Sequence, residues 1–267
     1  MRRSGSLLGS VLIGVPLLLA ALGPLLSRLL GTTAPTGTSP LLPPGGDFVL
    51  GTDVLGRDVL GLALGGGTSV VGLTVGALAL AYVVGVPLGL ALAGTVRAWA
   101  DRAVLAVLDI VLVVPSLLLL LVLAAAGRRG TWWLLAVAAL ISLPPIVRLV
   151  RAAASVPDRR AALETMTMLG EPWWRVRLLE AGRLVAGPVA VDAGSRLVLL
   201  VALVTSANFL GLGLAPDAVD WAVMIEQNTT ALFLAPVTLL LPAALLVSLC
   251  AGANLLVDQA LAHRGAS

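Results

Sequence analysis

Three ionisable residues, Asp109, Asp192 and Arg196, fall inside long apolar runs of this chain. A charge surrounded by hydrocarbon is costly, so each should face protein or a water-filled cavity. Asp192 and Arg196 are four apart, which places them on one helix face where they can pair. Such a pair neutralises itself and reads first as a structural tether. The second reading is a pair lining a water-filled pathway. Asp109 is open in the same way: it can hold another span, pair across a dimer or line a pathway. Asn208, near the end of the fifth apolar run, can cap a helix or line a cavity.

Other chemistry is poorly supplied. The chain has one cysteine, Cys250, inside an apolar run, and one histidine, His263, near the C-terminus. These give neither a Cys/His metal cluster nor a disulfide framework within one chain. A serine–histidine mechanism would rest on a histidine after the last span. An aspartate dyad would need Asp109 and Asp192 within about 3 Å of each other, and nothing local to either suggests it. All 17 basic residues are arginine. A P-loop needs a lysine to reach the phosphates, so the chain is not expected to drive itself with nucleotide. No catalytic residue, metal ligand or cofactor is expected in it. The pI near 10.3 accompanies a net charge of only +3. The arginines cluster in loops, which reads as membrane topology rather than as a nucleic-acid footprint.

The elements that position these residues are membrane spans. Of the 267 residues, 59% are hydrophobic and 12% charged. Several runs exceed the ~18 apolar residues that cross a bilayer. Six spans are predicted, near 7–30, 68–95, 103–126, 131–150, 184–206 and 232–257. The fold class is therefore all-α, a polytopic membrane protein. The first run, after Met1-Arg2-Arg3, is longer than a signal-peptide core and reads as an uncleaved span. With the N-terminus in the cytoplasm, 11 arginines lie inside and 4 outside. That asymmetry, with six spans, places both termini in the cytoplasm.

Three soluble segments stand out. Outside, residues 31–67 begin as an irregular Thr/Pro/Gly/Ser-rich loop and end in LGTDVLGRDVL over 50–60. Asp53 and Arg57, four apart and acid first, predict a helix beginning at Thr52 or Asp53, and Asp58 follows them. This segment reads as a surface helix, or alternatively as part of a gate or landing surface. A second outer loop, 210–230, carries Asp217, Asp220 and Glu226 with no basic residue; it can meet a basic partner or be solvated.

Inside, residues 151–183 contain ALETMTMLGEPWW over 162–174. Pro157 and Asp158 suit a helix start. Ala162, Leu163, Met166 and Leu169 form an apolar stripe. Gly170 can stop the helix in a left-handed conformation, and Pro172 can open a second one carrying Trp173 and Trp174. This predicts two short helices meeting at a sharp corner. The pair would lie on the membrane surface or dock its stripe into a groove on a partner.

Arg148-Leu-Val-Arg151, then Glu164, then Gly170, resembles the cytoplasmic Glu-Ala-Ala…Gly motif of inner-membrane permeases of ABC importers. The segment 50–60, the DIVLVVPS of 109–116, the NFLGLG of 208–213 with Trp221, and the NLLVD of 254–258 resemble the dipeptide/oligopeptide/nickel subgroup, specifically its C-type permease. Thr165 and Met166 stand where that family usually has alanines, and Ala181-Gly182-Arg183 where it usually has Ile/Leu-Leu-Pro. The resemblance implies a type I ABC importer permease (MetI-like) fold in a bacterial plasma membrane. Residues 1–67 would be the first span and its outer loop, and 68–264 the permease domain. It also implies a B-type permease partner, one or two ABC ATPase subunits holding ATP and magnesium, and an extracytoplasmic substrate-binding protein. Membrane lipid would surround it, and nucleic acid would play no part. Arg160, Ala161, Leu163, Glu164, Thr165, Met168 and Gly170 would then couple to the ATPase. A self-sufficient secondary transporter or channel is the alternative, though no inverted repeat is visible.

Overall fold

The computed structural model describes residues 2–32, 38–93, 98–156, 165–166, 168–172 and 175–264. It contains helices α1 (Arg2–Leu29), α2 (Val59–Ala93), α3 (Ala98–Val113), α4 (Ser116–Ala125), α5 (Thr131–Ala154), α6 (Ala181–Phe209), α7 (Trp221–Gln227) and α8 (Val237–Arg264). The only β-structure among the described residues is two isolated bridges, Gly45–Phe48 and Thr52–Asp58. Five helices, α1, α2, α5, α6 and α8, are long and apolar enough to cross a bilayer, and α3 with α4, bent by 75°, makes a sixth candidate if the pair is one span. Lipid offers no partner for backbone groups, so each span must satisfy its own as a helix.

The bend in the third span comes from Pro115. It has no N–H to give the helix, and it pushes Val114 out of the helical region. The chain restarts at once, with Leu119 N–H donating to the Pro115 carbonyl at 3.0 Å.

Packing among α2, α5 and α6 forms the centre. Ala77, Ala81, Ala138, Ala139, Ile146, Val150, Val185 and Leu200 make one buried cluster. Its small residues matter because helices in lipid associate by close van der Waals packing, without a hydrophobic drive between them. A Cβ built on Gly85 would lie 2.7 Å from Ile146 Cγ2, and one on Gly89 2.8 Å from Val150 Cβ. These glycines let α2 and α5 touch. A second cluster joins Val70, Val201, Leu245 and Leu249 around Trp221, with Ile13 and Leu19 of α1 against it.

Several boundaries differ from the sequence expectation. Helix α2 starts at Val59 rather than near 68, so Gly65–Gly67 are helical. Asp58 caps the start, its Oδ1 accepting from Leu60 N–H at 3.0 Å. The glycine run persists because the Trp221 ring lies against it; a Cβ on Gly66 would be 2.6 Å from that ring. The expected helix at Thr52 or Asp53 is instead a closed turn, and the reason lies in the side chain of Asp53, described below. Of the second short helix expected after Pro172, Trp173 and Trp174 lie outside the described residues. A π-helical turn, Arg175–Glu180, runs directly into α6. The last span begins at Val237, after Pro236, rather than near 232. Phe233 and Leu234 lie in the preceding turn, 95% and 77% exposed.

Gly85→Val is expected to destabilise the chain by about 1–3 kcal/mol, the usual cost of overpacking. The midpoint of thermal unfolding in detergent reads this. Gly72→Val is the control, because an added Cβ there meets nothing within 4 Å. An equal fall in both variants would contradict the packing account.

Candidate functional site

Three polar constellations occupy this frame: a corner between α5 and α6, a set of charges along the spans, and a cap at the opposite end of the bundle. The corner begins where α5 ends. Ser155 N–H and Oγ both turn back to the Arg151 carbonyl, at 3.1 and 2.7 Å. Of the residues expected to couple there, Arg160, Ala161, Leu163 and Glu164 lie outside the described residues. Thr165, Met168 and Gly170 are described. Leu169 N–H donates to the Thr165 carbonyl at 3.1 Å, one helical turn. Gly170 then takes φ +82°, and Glu171 N–H reaches back to the Met166 carbonyl at 3.3 Å. This is a left-handed helix stop of the kind glycine allows. Among the described residues nothing lies within 4 Å of a Cβ added at Gly170, so its positive φ is the feature that selects glycine. Glu171 pairs with Arg175 at 3.0 Å on the far side of the corner. Met168 and Leu169 project beside it, 86% and 78% exposed.

Along α3 and α6, three aspartates are paired. Arg196 Nε and Nη2 grip the Asp192 carboxylate at 2.5 and 3.0 Å, and Tyr82 of α2 donates its hydroxyl to Asp192 Oδ2 at 2.6 Å. Asp109 pairs with Arg148 of α5. Arg151 holds Asp101 of α3 with two bonds, at 2.8 and 2.6 Å. The four-residue spacing made the Asp192–Arg196 pair visible in the sequence. Tyr82, Arg148 and the Asp101–Arg151 pair were missed as partners, because each contact joins different helices and leaves no periodic signal.

The cap gathers Asp53, Arg57, Asp58 and Asn208. Asp53 Oδ1 accepts from the N–H groups of Leu55 and Arg57, at 2.9 and 2.8 Å. Its Oδ2 accepts from Arg57 Nε at 2.8 Å. One carboxylate thus closes a turn around itself, and this outcompetes the helix that the spacing suggested. The turn is tied to the rest of the cap by Arg57 Nη2 donating to Gln227 Oε1 at 2.5 Å and by Val54 N–H donating to Asn228 Oδ1 at 3.1 Å. Asn208 Oδ1 accepts from Leu214 N–H at 3.1 Å and closes the turn after α6.

The loop 210–230 is not simply solvated. Asp220 is buried and caps α7, accepting from Ala222 and Val223 N–H at 2.8 and 3.3 Å. Trp221 Nε1–H donates to the Ala63 carbonyl of α2 at 2.8 Å. Burial pushes the Asp220 carboxyl above its ordinary range, while Ser69, the two capping N–H groups and the Asn208 side chain pull it back. Burial likewise raises Asp58, against the N–H groups of Leu60 and Gly61.

Comparison with known proteins assigns this arrangement. A family model described as binding-protein-dependent transport system inner membrane component matches residues 85–258, from the last turns of α2 into α8. The chain belongs to that family. It is similar to the glutathione transport system permease protein of Pectobacterium atrosepticum, 26% identical over 209 residues, 78% of this chain and 69% of the relative. It is also similar to the oligopeptide transport system permease protein of Mycobacterium tuberculosis, 28% identical over 224 residues, 82% and 75% of the two chains. The di/tripeptide permease protein of Pseudomonas aeruginosa is 28% identical over 180 residues, 67% of this chain and 59% of the relative. The chain is thus an inner membrane component of a binding-protein-dependent transport system, and no group of three or more His, Cys, Asp or Glu that could hold a metal ion occurs among the described residues.

The raised carboxyl of Asp220 gives a signed pH dependence. A folded-state pKa above the unfolded value makes the folded chain bind the proton more tightly. Its stability contribution is full below about pH 4, the ordinary carboxylate value, and is lost as pH rises through the folded pKa. Asp220→Asn keeps an acceptor for the two N–H groups and removes the titration. The melting temperature of the variant relative to the parent should therefore be higher at pH 8 than at pH 4. A difference independent of pH would contradict the assignment.

Proposed function

We propose that this chain is a permease subunit of an ATP-driven importer for peptides or related small solutes. It forms the translocation pathway with a second, B-type permease. ATP and magnesium bind to one or two partner ATPase subunits, and an extracytoplasmic binding protein delivers the cargo. Both termini lie in the cytoplasm, so the α5–α6 corner faces the ATPases and the cap faces outward. The supporting observation is the corner itself. A left-handed Gly170 holds an exposed Met168–Leu169 ledge between two spans of a family member. An apolar ledge of this kind gains most by entering a groove on a partner. Nucleotide-driven closure of the ATPases would draw the ledge inward, move α5 and α6 as levers, and switch the side on which the pathway opens. The named relatives carry glutathione, di/tripeptides and oligopeptides, which supports a peptide-like cargo here. The Asp192–Arg196 pair, closed by Tyr82, acts as an internal tether of α2 and α6 rather than as a cargo contact.

The test is uptake by the reconstituted importer together with membrane insertion of the subunit. Glu164→Ala and Gly170→Val should each lower uptake at least about tenfold, insertion being normal. Valine at a positive φ is strained, whereas asparagine visits that region readily, so Gly170→Asn should restore most of the activity. Wild-type uptake by both Glu164→Ala and Gly170→Val would refute the lever. Ion-gradient-driven uptake by this chain alone in liposomes would favour a self-sufficient transporter instead.

A further inference from the structure

We infer that the Asp109–Arg148 pair is a cargo contact on the pathway wall, which receives the charged ends of a zwitterionic peptide. This rests on the importer reading above and adds the site and the chemistry recognised there.

The two charged clusters deepest in the spans are built differently. Asp192 and Arg196 are 18% and 14% exposed, and a third group, the Tyr82 hydroxyl, completes them. That is how a pair is stabilised inside protein. Asp109 and Arg148 belong to two different helices and are 52% and 46% exposed. Asp109 stands eight residues along α3 from Asp101, where the apolar length of that helix begins, about 12 Å at 1.5 Å per residue, and Arg148 stands six residues, about 9 Å, before the end of α5. Half-exposed charges within the apolar length of two helices are costly against lipid. They are also poorly suited to a dry interface between permeases, where desolvation outweighs attraction unless further hydrogen bonds complete the pair. Water is the surrounding that keeps both charged, and in an importer the pathway supplies water at this depth.

The pair is not needed to hold α3 in place. Two turns below, Arg151 grips Asp101 with two bonds. Leu108 packs with Leu92 and Val147 in a separate buried cluster. With α3 anchored this way, the upper carboxylate and guanidinium can exchange each other for a passing solute. A lone charge would trap the opposite ion. A pair is neutral overall and offers an acceptor to an ammonium and a fork to a carboxylate, which suits a molecule carrying both ends. Binding of this kind can be favourable enough to admit cargo and weak enough to release it.

Two measurements on the complete reconstituted importer test the assignment. Val113, one turn beyond Asp109 on the same side, is 81% exposed and leaves the pair intact when replaced. In a Cys250→Ser background, Val113→Cys is the only cysteine of the chain. A charged, water-soluble thiol reagent should label it, and tri-alanine presented by the binding protein during turnover should slow labelling several-fold. Absence of labelling, or crosslinking of this cysteine to the second permease, would place the face in lipid or in an interface and overturn the inference. Labelling without protection by tri-alanine would overturn the cargo contact. The second measurement uses Asp109→Asn/Arg148→Gln, which strands no charge. It should lower uptake of tri-alanine relative to N-acetyl-tri-alanine amide about tenfold. An unchanged ratio would equally overturn the inference. ATP hydrolysis stimulated by the loaded binding protein is read in parallel. If that stimulation is present while either test fails, the contact is wrong and the importer reading stands.

Discussion

Exclusion of water from the hydrocarbon core is the constraint on which this structure depends. It removes the solvent that would otherwise satisfy backbone groups and charges. The chain meets the first demand with five long apolar helices and a pair bent at a proline. It meets the second by giving three aspartates of α3 and α6 a basic partner: Asp101 with Arg151, Asp109 with Arg148, and Asp192 with Arg196. Exclusive use of arginine suits this task, since a planar guanidinium can hold a carboxylate by two bonds, as Arg151 and Arg196 do.

The same constraint explains the composition of the core. With lipid as apolar as leucine, helices associate through closeness of fit. Glycine and alanine therefore stand where α2 meets α5, and a glycine run stands where α2 receives the Trp221 ring. At the cap, where water returns, the fold changes its means. Side chains of Asp53, Asp58, Asn208 and Asp220 close turns and cap helices, and Gln227 and Asn228 tie the turn around Asp53 to the end of α7. At the other end, one positive φ at Gly170 redirects the chain between α5 and α6. The bundle is thus stiff through its centre and carries an exposed apolar ledge at one end, the form a subunit needs if another protein is to move it.

How much of this was legible in the sequence follows from the range of each interaction. Hydropathy over about twenty residues marked the spans, because membrane thickness acts on every residue alike. Gly170 was readable as a corner, because a left-handed stop is a local demand on one residue type. The Asp192–Arg196 pair was readable from its spacing. Asp53 was misread as a helix start because its carboxylate competes for the same N–H groups that a helix would use. The early start of α2 was hidden because its three glycines are stabilised by a tryptophan more than 150 residues away in the chain. Arg148 and Tyr82 gave no sign of their partners, since contacts between helices depend on rotation about each axis, which composition does not encode.

The central claim is that the ledge beside Gly170 is gripped by a nucleotide-hydrolysing partner. It is tested most directly by a Met168→Cys crosslink in the assembled complex with Cys250 replaced. A short bifunctional thiol reagent should join position 168 to a cysteine in the ATPase groove, in high yield and in both the nucleotide-free and ATP-bound states. Absence of that crosslink in both states, with labelling of the same position by a lipid-soluble probe, would place the ledge on the membrane surface and contradict the account.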